Sequence, residues 1–81
     1  MWYVYIVECS DQTLYTGITN NLERRVACHN SVADGAKYTR GRRPVKLVYS
    51  KRKRSRQSAL QEELRIKKMS RARKKQLLDK R

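Results

Sequence analysis

Apolar and polar positions first follow a strand period and then a helical one. From Trp2 to Cys9 the chain is rich in β-branched and aromatic residues, which suit a pleated surface. Ser10-Asp11-Gln12 makes a tight connection, and Thr13 to Thr19 gives a second strand, so the two form a β-hairpin. Loop length decides which side chains face together. A three-residue loop pairs Cys9 with Thr13, Val7 with Tyr15 and Tyr5 with Gly17. Period-two alternation then places Tyr3, Tyr5 and Tyr15 on one face, whereas a two-residue loop would separate them unless a bulge intervened. Gly17 is the hairpin's only glycine. It marks either the close approach of a ligand or backbone, or a bend that relieves twist.

The period changes after Thr19. Asn20 or Asn21 opens a helix that runs to His29, and Asn20 with Glu23 three residues on resembles a capping box. Leu22 and Val26 define its inward stripe. At about 100° per residue, His29 lies close to Leu22 and Arg25 falls about 60° to one side. Arg25 and His29, four apart, thus sit at the edge of the buried stripe, where they reach from the core rim into a cleft. Ser31 to Arg43 is a basic loop in which Lys37, Arg40, Arg42 and Arg43 surround Tyr38, a mixture suited to a phosphate backbone. Pro44 starts a third strand, Val45 to Tyr49. Ser50 to Arg56 is too polar for a core and is expected to be a loop, with Lys51, Arg52, Lys53 and Arg54 free to touch phosphates.

Ser55 or Ser58 caps the next helix, which extends to about Lys68. Ala59, Leu60, Leu64, Ile66 and Met69 form its apolar arc, with Glu63 near the centre of that arc and Glu62 nearer its edge. A carboxylate in an apolar stripe is costly unless it is paired or binds a metal, and both remain open at this point. Ser70 caps a final basic segment, Arg71 to Lys80, expected as a short frayed helix or tail with Leu77 and Leu78 as its apolar residues. The order β-β-α-β-α-α is that of a small α/β (α+β) domain spanning 1–81, with a basic, frayed segment at 70–81.

Size and charge narrow the function. A chain of 81 residues has room for one thin core. Its 21 Lys+Arg against 7 Asp+Glu give +14, which predicts salt-sensitive attraction to polyanions, nucleic acid first among them. No apolar run approaches the roughly 20 residues of a membrane span. The start of the chain lacks the features of a signal peptide. Cys9 and Cys28 fit no metal or redox spacing and are expected as reduced thiols in the cytoplasm.

Taken together, these residues resemble the GIY-YIG nuclease superfamily, in its small stand-alone bacterial branch, over nearly the whole chain. Tyr3-Val4-Tyr5 stands where the family has Gly-Ile-Tyr, and Tyr15-Thr16-Gly17 where it has Tyr-Ile-Gly. Arg25 occupies the family's helix arginine, His29 a position held by Tyr or His, and Glu63 that of the single metal-binding glutamate. Gly35-Ala36-Lys37-Tyr38-Thr39-Arg40 and Arg43-Pro44-Val45 are also typical of the branch. The departures, Tyr3 for glycine and Thr16 for isoleucine, fall at backbone or packing positions.

The resemblance implies a three-stranded antiparallel sheet flanked by helices and a metal-dependent endonuclease. Glu63 would hold one Mg²⁺ or Mn²⁺. Arg25 would clamp the phosphate, Tyr5 would activate the attacking water, and His29 and Tyr15 would orient it or relay protons. A tyrosine with a pKa near ~10 is a poor base at neutral pH, so Arg25 and the metal would have to depress it. The expected partner is nucleic acid, DNA before RNA, with no membrane, no small-molecule cofactor, and a monomer by default. Two other readings compete: a non-catalytic nucleic-acid-binding module on the same fold, and a basic structural protein on ribosomal RNA. The second leaves Glu63 unexplained.

Overall fold

The computed structural model describes residues 1–30 and 44–79. The order is β1 (Trp2–Glu8), β2 (Leu14–Thr19), α1 (Leu22–Asn30), β3 (Lys46–Lys53), α2 (Arg56–Lys67) and α3 (Arg71–Asp79). The strands form one antiparallel sheet in the order β2-β1-β3. The α+β class and the antiparallel three-stranded sheet are those expected.

The hairpin register is the one a three-residue loop imposes: Tyr5 opposes Gly17 and Val7 opposes Tyr15. Cys9 N–H donates to the Thr13 carbonyl at 2.9 Å, and Gln12 takes the left-handed conformation that such a loop needs, with φ 69°. Asp11 Oδ1 fixes the turn by accepting from both the N–H and the hydroxyl of Thr13, at 3.1 and 2.6 Å.

Two expectations are corrected. First, Ser50 to Arg56 is not a loop. β3 continues to Lys53, because the first residues of the central strand need partners on both sides and Trp2, Tyr3 and Val4 pair with Lys53, Arg52 and Lys51. A charged run suits an edge strand, where it discourages further pairing. Second, Leu64 is not in the buried arc; it is 52% exposed. The sheet-facing stripe of α2 is Ala59, Glu63 and Ile66, and Leu64 lies about 130° from its centre. Of the two forms expected for the last segment, helix or tail, the helix is observed, running from Arg71 to Asp79. Leu77 and Leu78 pack on the core, and Arg71 donates to the Gln12 carbonyl at 2.9 Å. Ser55 and Ser70 serve as the expected caps. The cap of α1 is Asn21, which accepts from Arg24 N–H at 3.0 Å, rather than Asn20.

The sheet has two packed faces. On one, Val4, Ile6 and Tyr49 meet Ile66 of α2, with Leu77 and Leu78 of α3 alongside. On the other, Tyr5, Val7, Cys9 and Val45 pack with Tyr15 and with Leu22 and Val26 of α1. A register shift opposite Ile6 and Val7 makes Val48 the extra residue of β3. That bulge lets Leu47 join the α1 side while Val48 and Tyr49 face α2 and α3.

Candidate active site

The site grows out of the α1 face. Tyr5 lies at the middle of the central strand and is 1% exposed. Its ring crosses the sheet to lie over Gly17. A β-carbon built at Gly17 would stand 2.6 Å from the Tyr5 hydroxyl and 2.9 Å from Cζ. The glycine is required because a side chain, not a ligand or a backbone segment, occupies its space.

α1 brings two groups to that hydroxyl. Arg25 Nε–H donates to Tyr5 Oη at 3.3 Å, and Tyr5 Oη is 2.8 Å from His29 Nε2. The His29 tautomer carrying its proton on Nδ1 lets the phenol accept from Arg25 and donate on to Nε2. The Tyr15 ring meets His29 edge-on at a centroid distance of 5.2 Å. Helical spacing alone put His29 at the core rim; it is fully buried. Arg25 is half-buried and lines a cleft of about 240 Å³ with Thr19, Asn20, Asn21, Arg24 and Cys28.

Burial sets the protonation states. The His29 pKa is lowered from 6.5 to about 4, by desolvation first and by the Arg25 charge second, so the imidazole is neutral at pH 7. The Tyr5 phenol is raised above its usual 10. Desolvation outweighs the lowering by the Arg25 hydrogen bond and charge, and the charges of Tyr15 and Glu63 push the same way as burial. The direction is opposite to the one a Tyr5 base requires, and Arg25 supplies only part of the depression that role needs.

Glu63 arrives from α2, on the other side of the sheet, yet its charge is felt at the Tyr5 oxygen. The residue is 9% exposed, and its carboxylate stands 3.6 Å from Lys67 Nζ one turn on, an exposed partner. Tyr5, Tyr15, Arg25 and His29 therefore share one neighbourhood, and Glu63 acts on it by charge from the α2 side. Among the described residues no group of three or more His, Cys, Asp or Glu could enclose a metal. One carboxylate suits only a hard, hydrated divalent cation whose other ligands are waters and substrate oxygens.

Lys37, Tyr38, Arg40, Arg42 and Arg43 lie outside the described residues. The structure divides the remaining basic run by face. Lys51 lies beside Glu62 of α2, at 4.0 Å, and the Lys53 charge also acts on Glu62. Arg52, opposite Tyr3, belongs to the face of Tyr5. Sequence reasoning missed Asn30, whose side chain donates to the Val45 carbonyl at 3.1 Å and accepts from Val45 N–H at 2.7 Å, joining the end of α1 to the start of β3. Its position at a helix terminus beyond the apolar stripe was the only available signal.

Residues 1–76 match the GIY-YIG catalytic domain. This chain belongs to the GIY-YIG family. Within the family it is similar to UPF0213 proteins: 56% identical over 77 residues to that of Desulfotalea psychrophila, covering 95% of this chain and 70% of the relative, and 59% identical over 76 residues to that of Syntrophus aciditrophicus, covering 94% and 87%. The solution NMR structure of the UPF0213 protein BH0048 from Bacillus halodurans superposes with a TM-score of 0.62 at 44% identity, covering 98% of this chain and 84% of that one. The two departures from the GIY-YIG pattern can now be placed. Thr16 points into the α2 side of the sheet, 2% exposed, and its hydroxyl has no hydrogen-bond partner among the described residues. Tyr3 stays on the Tyr5 face. No helix among the described residues is long and apolar enough to cross a membrane, and Cys9 and Cys28 are both thiols.

Proposed function

We propose that this GIY-YIG domain hydrolyses phosphodiester bonds in nucleic acid, DNA in preference to RNA, in the cytoplasm and with one bound Mg²⁺ or Mn²⁺. The observation that carries the reading is the hydrogen-bonded series Arg25–Tyr5–His29, with the charge of Glu63 acting on the same phenol. A module that only binds nucleic acid needs surface cations. It has no use for a guanidinium and an imidazole converging on one buried hydroxyl.

Arg25 spends Nε on Tyr5, and its terminal nitrogens remain to take a phosphate oxygen. His29 and Tyr15 hold the Tyr5 ring in place. Glu63 would hold the cation, which when bound supplies charge stabilisation at the scissile phosphate and leaving oxygen. Tyr5 is assigned to the attacking water. A phenol raised by burial is a weak base at pH 7, so this role requires cleavage to accelerate as pH rises toward the phenol's range.

The test is cleavage of labelled single-stranded, duplex and branched DNA with Mg²⁺ or Mn²⁺. We expect metal-dependent cutting that rises between pH 6 and 9 and falls about a hundredfold or more in Tyr5→Phe and Glu63→Gln. Both variants should stay folded and keep binding, since among the described residues Glu63 pairs only with an exposed lysine and Tyr5→Phe keeps the core ring. Cutting that persists in Glu63→Gln overturns the metal assignment, and a flat pH profile removes Tyr5 from the base role.

A further inference from the structure

Next to the Arg25–Tyr5–His29 series, the same sheet face carries side chains that make no polar or ring contact among the described residues. Antiparallel register sets Tyr3 opposite Arg52 and Tyr5 opposite Ser50, so all four side chains leave the sheet on one side. α1 covers the other end of that face, where Leu22 and Val26 pack with Val7, Cys9, Val45 and Leu47. Tyr3 is half-buried, while Ser50 and Arg52 are exposed. Among the described residues the side chains of these three make no hydrogen bond, ion pair or ring contact. Their neighbours differ: Trp2 lies under the Arg56 guanidinium at 5.9 Å, and Lys51 approaches Glu62.

An aromatic ring that stacks on no other ring among the described residues, on the same face as a guanidinium with no ion pair among them, is the pairing that takes a nucleotide: the ring stacks on a base and the cation holds a phosphate. Two residues of strand separate Tyr3 from Tyr5, a span of about 6.6 Å. That is on the order of one or two nucleotides at about 3.4 Å per stacked step. A base inside a continuous duplex has no open face for a protein ring, so the ring selects an unstacked base.

We propose that Tyr3 and Arg52 form a subsite for an unpaired nucleotide flanking the cleaved bond, so that substrates single-stranded beside the cut are preferred over continuous duplex. The subsite rests on the nuclease reading above for its place next to the scissile phosphate, but its binding is measurable without cutting.

The test is equilibrium binding by fluorescence anisotropy, without divalent metal, to a single-stranded oligodeoxynucleotide, its duplex, and a duplex with a single-stranded flap. Wild type should bind the single strand and the flap more tightly than the duplex. Tyr3→Leu should lower affinity for those two by about five- to a hundredfold and leave the duplex unchanged, and Tyr3→Trp should keep the preference. Arg52→Gln should lower the salt slope on the single strand by about one, and by more than the charge-matched Lys75→Gln on α3 does. Equal affinity of wild type and Tyr3→Leu for the single strand overturns the subsite, as does an equal loss on single strand and duplex. Metal-dependent cutting is assayed in parallel. If the Tyr3-dependent preference is present and nothing is cut, the subsite stands and the nuclease reading falls; if no nucleic acid is bound, both fall.

Discussion

Lowering the pH should destabilise this protein well above the range in which carboxylates titrate. His29 is the only histidine and is fully buried, with a pKa of about 4 in the folded protein against 6.5 when exposed. As the pH falls through 6.5 the unfolded chain takes up a proton that the folded chain refuses. The unfolded state therefore binds more protons, and stability falls with pH. The contribution is fully present above about pH 6.5 and is lost progressively toward pH 4. At about 1.36 kcal/mol per pH step, the loss is about 2 kcal/mol between pH 7 and pH 5 and about 3 kcal/mol by pH 4. For a chain this size 2 kcal/mol lowers the melting temperature by roughly 10 °C. The assay is urea unfolding at pH 7, 6 and 5 for wild type and His29→Gln. Ordinary carboxylates titrate below this window, and Glu62, held down by Arg65, lower still. The wild type should lose the 2 kcal/mol and the variant should lose almost none, from a lower starting stability. Equal losses in the two proteins, or an imidazole that titrates near 6.5 by NMR in the folded state, would refute the reasoning.

Two further substitutions test the packing of the site. Gly17→Ala places a β-carbon within 3 Å of the Tyr5 ring tip, so the ring must swing away from Arg25 and His29; we expect a cost of about 1–3 kcal/mol in unfolding experiments and loss of cleavage in a protein that still folds, and unchanged activity would show that the Tyr5 position is not needed. Thr16→Val replaces an unpartnered buried hydroxyl by a methyl of nearly the same shape and should raise stability by about 1 kcal/mol in the same measurement; a loss instead would show that the hydroxyl has a partner in solution.

What could be read from the sequence follows from which quantities have a period. The hairpin register was legible because loop length and alternation together leave one arrangement that puts Tyr3, Tyr5 and Tyr15 on a common face. Glu63 was legible as a carboxylate facing inward because angle on a helix needs no tertiary information. Leu64 misled because it follows Leu60 by four residues as the members of a buried stripe do, whereas the sheet selects Ala59, Glu63 and Ile66. The length of β3 was hidden because nothing in Ser-Lys-Arg-Lys alternates. Its strand state comes from the partners that Trp2, Tyr3 and Val4 require, which is a property of another segment. The Val48 bulge was hidden for the same reason.

The site itself shows the limit most clearly. Helical angle gave the directions of Arg25 and His29 but not their depth, and depth decides the chemistry. A histidine at the rim would titrate near 6.5 and could exchange protons; one at 0% exposure stays neutral and acts as a fixed acceptor or donor for a phenol. Burial likewise turns Tyr5 from a group that an arginine could activate into one whose proton is held more firmly than in water. The α1-side core and the candidate active site thus overlap, since Tyr5 is at once a core ring and the centre of the hydrogen-bonded series. A change that makes this core drier or tighter raises the phenol further, so with Tyr5 in the proposed role stability and water activation pull against each other at one residue. The positive charge of bound substrate-facing groups must then supply what burial takes away. This is why Arg25, the one cation in contact with the phenol among the described residues, is the side chain whose loss should cost cleavage more than it costs the fold.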